Sequence, residues 1–188
     1  MGWHTKITRD TLMTMKVTVQ KKRYDENQIR EGVVRIGFFE DKMYEEKTDE
    51  NGNVVRKAIH VAQVAHWNEY GTGGSHGIPE RPFMRPSVFE HKQQLQDILR
   101  ARYRQAFKDN QNTMRVLKLF GEEVVEIIKT QIDNVNTPEN APITIHGGWL
   151  GRKGKKSVYI EGKGGSKPLY DTGFMQGSVD YKAEEVFK

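Results

Sequence analysis

The chain has 188 residues, 30 Lys+Arg against 25 Asp+Glu for a formal charge of +5, and no cysteine. That length makes one ordinary domain, able to bury roughly 70% of the surface its unfolded form exposes, and the lack of cysteine excludes disulfides and thiolate metal sites. Hydrophobic residues are only 36% of the chain and mean hydropathy is -0.76, which describes a polar domain with long wet segments and loops that neighbours complete.

No apolar core of a secretion signal appears in Met1 to Asp10, and no run approaches membrane-spanning length. Neither secretion nor a membrane partner is expected. From Leu12 to Gln20, Met13, Met15, Val17 and Val19 alternate with polar residues, the period of a half-buried strand. Lys21 to Glu31 is polar and reads as a loop or a short helix. A β-branched and aromatic run, Val33 to Phe39, is the second strand. Two charged arms, Met43 to Glu50 and Asn53 to Lys57, flank Asn51-Gly52, a pair suited to a type I′ turn, so a projecting hairpin is expected.

Helix signals follow. Ala58, Ala62, Ala65 and Glu69 share a stripe, with Val61, Val64 and Trp67 beside it, and Gly71 supplies the C-cap. A second helix is predicted over Ser87 to Asp109, and a third over Thr113 to Asp133, with Thr113 as its cap. Residues 134–170 then carry prolines, glycines and a basic excess. They read as a long extended loop with one short strand at Ser157 to Ile160, ordered by function or by a partner. A helical turn after Asp171 and a strand near Ser178 to Ala183 close the chain. The fold class is α+β: one domain over 1–188, a small antiparallel sheet against two or three helices, with long extended loops.

No motif carries catalysis, a cofactor or a metal. His60 and His66 lie about 240° apart around a helix and cannot share an ion. The nearest approach to a phosphate loop, around Gly154-Lys155, has Trp149 where the first glycine belongs and Lys156 where the hydroxyl belongs. Asp171-Thr172-Gly173 looks like an aspartic-protease triplet, but too little chain follows to build a substrate wall. It reads instead as a helix cap in which Asp171 or Thr172 accepts a following N–H.

The most specific stretch is Val61-Ala62-Gln63-Val64-Ala65-His66-Trp67-Asn68-Glu69-Tyr70-Gly71-Thr72, followed by Ile78-Pro79-Glu80-Arg81-Pro82-Phe83-Met84-Arg85-Pro86. Its prolines hold Arg81, Phe83 and Arg85 on a stiff extended strap anchored by Phe83. Glu69, or acidic groups on another subunit, can partner the arginines.

This segment resembles the tail-completion, or head–tail joining, proteins of long-tailed bacteriophages, the minor tail protein Z type. Their hallmarks look like a strand ending in Gly-Phe, a Val-Ala-x-x-Ala-x-x-Asn-Glu-Tyr-Gly-Thr helix and an Ile-Pro-x-Arg-Pro-Phe-x-Arg-Pro strap. Arg152-Lys153-Gly154, Lys167-Pro168-Leu169 and Asp171-Thr172-Gly173 follow in the family's order, so the resemblance covers about residues 33–183. The hairpin at Met43 to Lys57 is longer and more charged than that pattern, Ser157 to Gly165 is inserted, and Met175 stands near the usual leucine.

The resemblance implies a virion structural protein without catalysis, assembled in the bacterial cytoplasm into a homo-oligomeric ring, a hexamer, at the neck or upper tail. Implied partners are other neck, connector and tail-tube or terminator proteins, with genomic DNA in the lumen. On this reading Glu69, Arg81, Phe83 and Arg85 grip an adjacent subunit, and Arg152, Lys153, Lys155 and Lys156 meet the neck or tail partner. Arg81→Glu with Arg85→Glu is then expected to leave the fold intact and to prevent head–tail joining. A second reading makes the basic 149–170 segment, with Trp149, Tyr159 and Tyr170, a nucleic-acid-binding module.

Overall fold

The computed structural model describes residues 4–10, 13–20, 32–48, 51–74, 77–109, 112–152 and 155–186. Strands β1 (His4–Asp10), β2 (Thr14–Gln20) and β3 (Gly32–Phe38) lead into an arm of short paired strands. The arm comprises β4 (Met43–Tyr44), β5 (Lys47–Thr48), β6 (Val54–Arg56) and β7 (Ile59–His60). Helix α1 (Val61–Tyr70) precedes the strap, α2 (Met84–Phe89), α3 (Lys92–Lys108) and α4 (Thr113–Asn134). Then come α5 (Pro142–His146), β8 (Gly148–Arg152), β9 (Lys155–Ile160), α6 (Phe174–Gly177) and β10 (Val179–Glu185).

The sheet is antiparallel in the order β1-β2-β3-β10. Chain ends therefore meet in one sheet, with β10 brought beside β3 so that Tyr181 opposes Ile36. Helix α4 lies across β3 and β10, and α3 packs on α4. This arrangement is α+β, as the alternation of strand and helix patterns predicts.

Helix α4 owes its place to Val116, Leu117, Phe120, Val124, Ile128 and Ile132, which recur on one side and are all buried. Its cap is Asn112, whose side chain accepts the Met114 N–H at 2.8 Å, not Thr113 as expected; Thr113 begins the helix and is buried. Apolar residues Leu95, Leu99, Tyr103 and Ala106 of α3 close over it.

Four sequence expectations change. Strand β1 was not foreseen, because His4–Asp10 is polar and shows no alternation. The expected second helix starts three residues early and breaks at Glu90–His91 into α2 and α3. Ala58 lies outside α1 and is exposed, so the buried stripe is Val61, Ala65 and Glu69. Segment 134–170 is not one extended loop: it holds α5 and the β8–β9 hairpin, with Trp149 opposite Tyr159. The Asn51-Gly52 hairpin does form, as the paired β5 and β6, with a second rung at β4 and β7. Lys21 to Glu31 falls outside the described residues.

Candidate functional site

The strap is an internal brace. Gly71 ends α1 at φ 67°, a conformation that favours glycine, and Thr72 and Ile78 then clasp the loop. The Thr72 N–H donates to the Ile78 carbonyl at 2.9 Å, and the Ile78 N–H donates to the Thr72 hydroxyl at 2.7 Å. This brings the strap back alongside α1, where the Arg81 N–H meets the Asn68 carbonyl at 2.7 Å.

Glu69 is 0% exposed. Its carboxylate accepts the backbone N–H groups of Phe83, Met84 and Arg85 at 2.8, 2.8 and 2.9 Å, and the Arg85 Nε at 2.9 Å. Those amides open α2 and have no partner within it, so the buried anion caps a helix from a different element. Arg85 completes the arrangement with a bond to the Glu69 carbonyl at 2.8 Å, an ion pair to Glu80, and a guanidinium 4.8 Å from the Tyr70 ring centre. These hydrogen bonds, Glu80 foremost, hold its pKa above the ordinary arginine value.

Phe83 is fully buried and meets Phe38 of the sheet edge-on at 6.1 Å. Arg81, only 5% exposed, donates to the carbonyls of Pro138 and Glu139 at 2.7 and 2.8 Å. Burial lowers its pKa, yet the guanidinium remains a cation. Every strap residue assigned to a partner is thus engaged inside the chain. The expectation that Glu69, Arg81, Phe83 and Arg85 grip another subunit is corrected: three are buried and the fourth bonds Glu69 and Glu80.

Segment 134–170 is ordered by the chain itself. Asn140 donates from its side chain to the carbonyls of Gly165 and Lys167, and from its backbone to Ser166. Lys163 and Gly164 donate their N–H groups to Thr144 and Ile145 of α5 at 2.8 and 2.9 Å. These amides of the glycine-rich Gly162 to Lys167 stretch are consumed by α5, so they do not form a phosphate cradle. A Cβ at Gly162 would fall 2.5 Å from the Gly147 nitrogen, so only glycines permit this approach.

Arg152, Lys155 and Lys156 lie on β8 and β9, while Lys153 and the conformations of the other three side chains fall outside the described residues. On the same two strands, Trp149 and Tyr159 meet edge-on with centroids 5.4 Å apart. Asp171 pairs with Lys163 at 3.0 Å; Thr172 accepts the Phe174 N–H at 3.4 Å, the following N–H expected of the triplet, but the capping residue of α6 is Gly173, not Asp171 or Thr172. His60 is paired with the Glu40 carbonyl at 3.0 Å.

A cavity of about 520 Å³ opens between α1, the strap, α5 and the hairpin, lined by Val64, Ile78, Ile143, Leu150, Ile160 and Met175 among others. Tyr44 borders it, and burial, reinforced by Asp171, raises the pKa of its hydroxyl. Among the described residues no three His, Asp or Glu side chains converge as a metal site would require, and no helix is long and apolar enough to cross a membrane.

Sequence reasoning found the strap but missed its principal partners, the 138–139 carbonyls and the α2 amides. Backbone groups leave no residue-type signal. Phe89, 71% exposed at the end of α2, was not singled out either. The chain matches no family model, no curated protein and no solved structure.

Proposed function

We propose that the protein is a non-enzymatic structural subunit of a bacteriophage virion, forming a homo-oligomeric ring, a hexamer, at the neck or upper tail. The observation that carries this reading is the interlock of α1 with the strap. The residues that give the sequence its resemblance to tail-completion proteins are those that build this architecture: Asn68, Glu69, Gly71, Thr72, Arg81, Phe83 and Arg85. Because these residues hold the chain's own architecture together, we read the resemblance as one of fold.

With the strap turned inward, adhesion belongs to what projects. The 43–60 arm presents Met43 and Val54, and Phe89 presents a solvated aromatic ring. Exposed apolar side chains on a polar chain suit subunit contacts. A heterologous interface, arm of one copy against a different surface of the next, closes into a ring. The exposed Trp149 and Tyr159 of the β8–β9 hairpin are left to meet another component of the neck, tail or genome.

Negative-stain images of the purified full chain test this reading. Closed rings of one copy number are the expected result. A field of uniform monomers at micromolar concentration contradicts it.

A further inference from the structure

We infer that the β8–β9 hairpin binds unpaired nucleic acid, its basic strand ends taking phosphates and its aromatic pair taking bases. The ribbon has two unlike faces. Leu150 and Ile160 line the cavity, while Trp149 and Tyr159, direct partners in the register, are 71% and 54% exposed. Arg152 ends β8 and Lys155 and Lys156 open β9, and no acidic residue stands from Gly148 to Ile160, so with Lys153 these thirteen residues carry +4 of the chain's +5.

The register sets this charge against itself. Arg152 and Lys155 are register partners, and like charges directly opposite one another destabilise a ladder. A two-stranded ribbon is marginal by itself and is expected to carry opposite charges across its rungs. The Trp149–Tyr159 contact offsets part of the repulsion, yet it leaves both rings largely in water.

A concentrated run of cations calls for a polyanion. The exposed rings select among polyanions: bases stack on aromatic faces, acidic peptides offer nothing to stack, and a duplex keeps its base faces covered. Single-stranded nucleic acid satisfies both features. This inference does not rest on the ring reading, since rings with no nucleic-acid affinity contradict it alone.

The test is fluorescence anisotropy of a labelled oligothymidylate of about 20 nucleotides with the full chain, over a range of salt. Binding is expected, weakening as salt rises, with clear preference over a blunt duplex of the same length. Replacing Trp149→Val and Tyr159→Thr, which keep strand propensity, should weaken binding at least about fivefold per ring. Lys155→Glu with Lys156→Glu should flatten the salt dependence. The denaturation midpoint of each variant checks that the fold persists. The inference is overturned by absence of binding at low salt, by equal affinity for duplex, by equal competition from polyglutamate, or by indifference to the loss of both rings.

Discussion

At the residue scale, Glu69 organises more structure than any other side chain described. It is a buried carboxylate with four donors, three of them backbone amides that nothing else satisfies. Glu69→Ala leaves those amides unpaired, and at about 1–3 kcal/mol each the expected loss is about 3 kcal/mol or more. Glu69→Gln keeps one acceptor oxygen and should lose less. A lower urea midpoint at constant slope is the expected signature, and an unchanged midpoint contradicts the brace. The paired reversal Arg81→Glu with Arg85→Glu also changes meaning. It sets carboxylates against the Pro138 and Glu139 carbonyls and against Glu69, so loss of folding is expected where a surface role predicted an intact fold. Tyr103 offers a pH test. Burial pushes its hydroxyl well above the ordinary value near 10. A raised folded-state pKa gives stability that is complete below about pH 10 and lost above it, by up to about 1.4 kcal/mol per unit. The natural chain should therefore lose stability more steeply above pH 10 than Tyr103→Phe does.

At the element scale, α4 depends on Asn112 for its start. Asn112→Ala should cost about 1 kcal/mol, read from the denaturation midpoint. Removing the Arg81 side chain should act further off: Arg81→Ala is expected to speed amide exchange over 138–146 and 163–167, the segments that Arg81, Asn140 and α5 hold together. How much was legible follows the range of the forces involved. Helix α4 was readable to within a residue because seven apolar side chains repeat along it, and the arm was readable from Asn51-Gly52. Within 134–170 only the strand at Ser157 to Ile160 was readable, as part of β9; β8 and α5 were not, because they are held by remote carbonyls and by the Gly147–Gly162 approach, neither of which leaves a local period. The strap was visible as a motif, but its direction was not. An arginine meeting a carbonyl of its own chain and one meeting a neighbour have the same sequence.

At the scale of the whole molecule, the chain separates into an inward and an outward part. Strap, sheet and α4 form a closed body in which even arginine and glutamate are satisfied internally. The arm, Phe89 and the cationic hairpin are left to face other molecules. The central claim is that subunit adhesion lies on this outward part and builds a ring. The most direct test is the solution mass of the full chain by light scattering, alone and with Phe89→Glu and Val54→Asp together. Neither side chain supports the core, so the 21.7 kDa monomer mass should appear in the variant, with an unchanged denaturation midpoint, where the natural chain gives a hexamer. A natural chain that is monomeric at every concentration, or an assembly indifferent to both substitutions, contradicts the account.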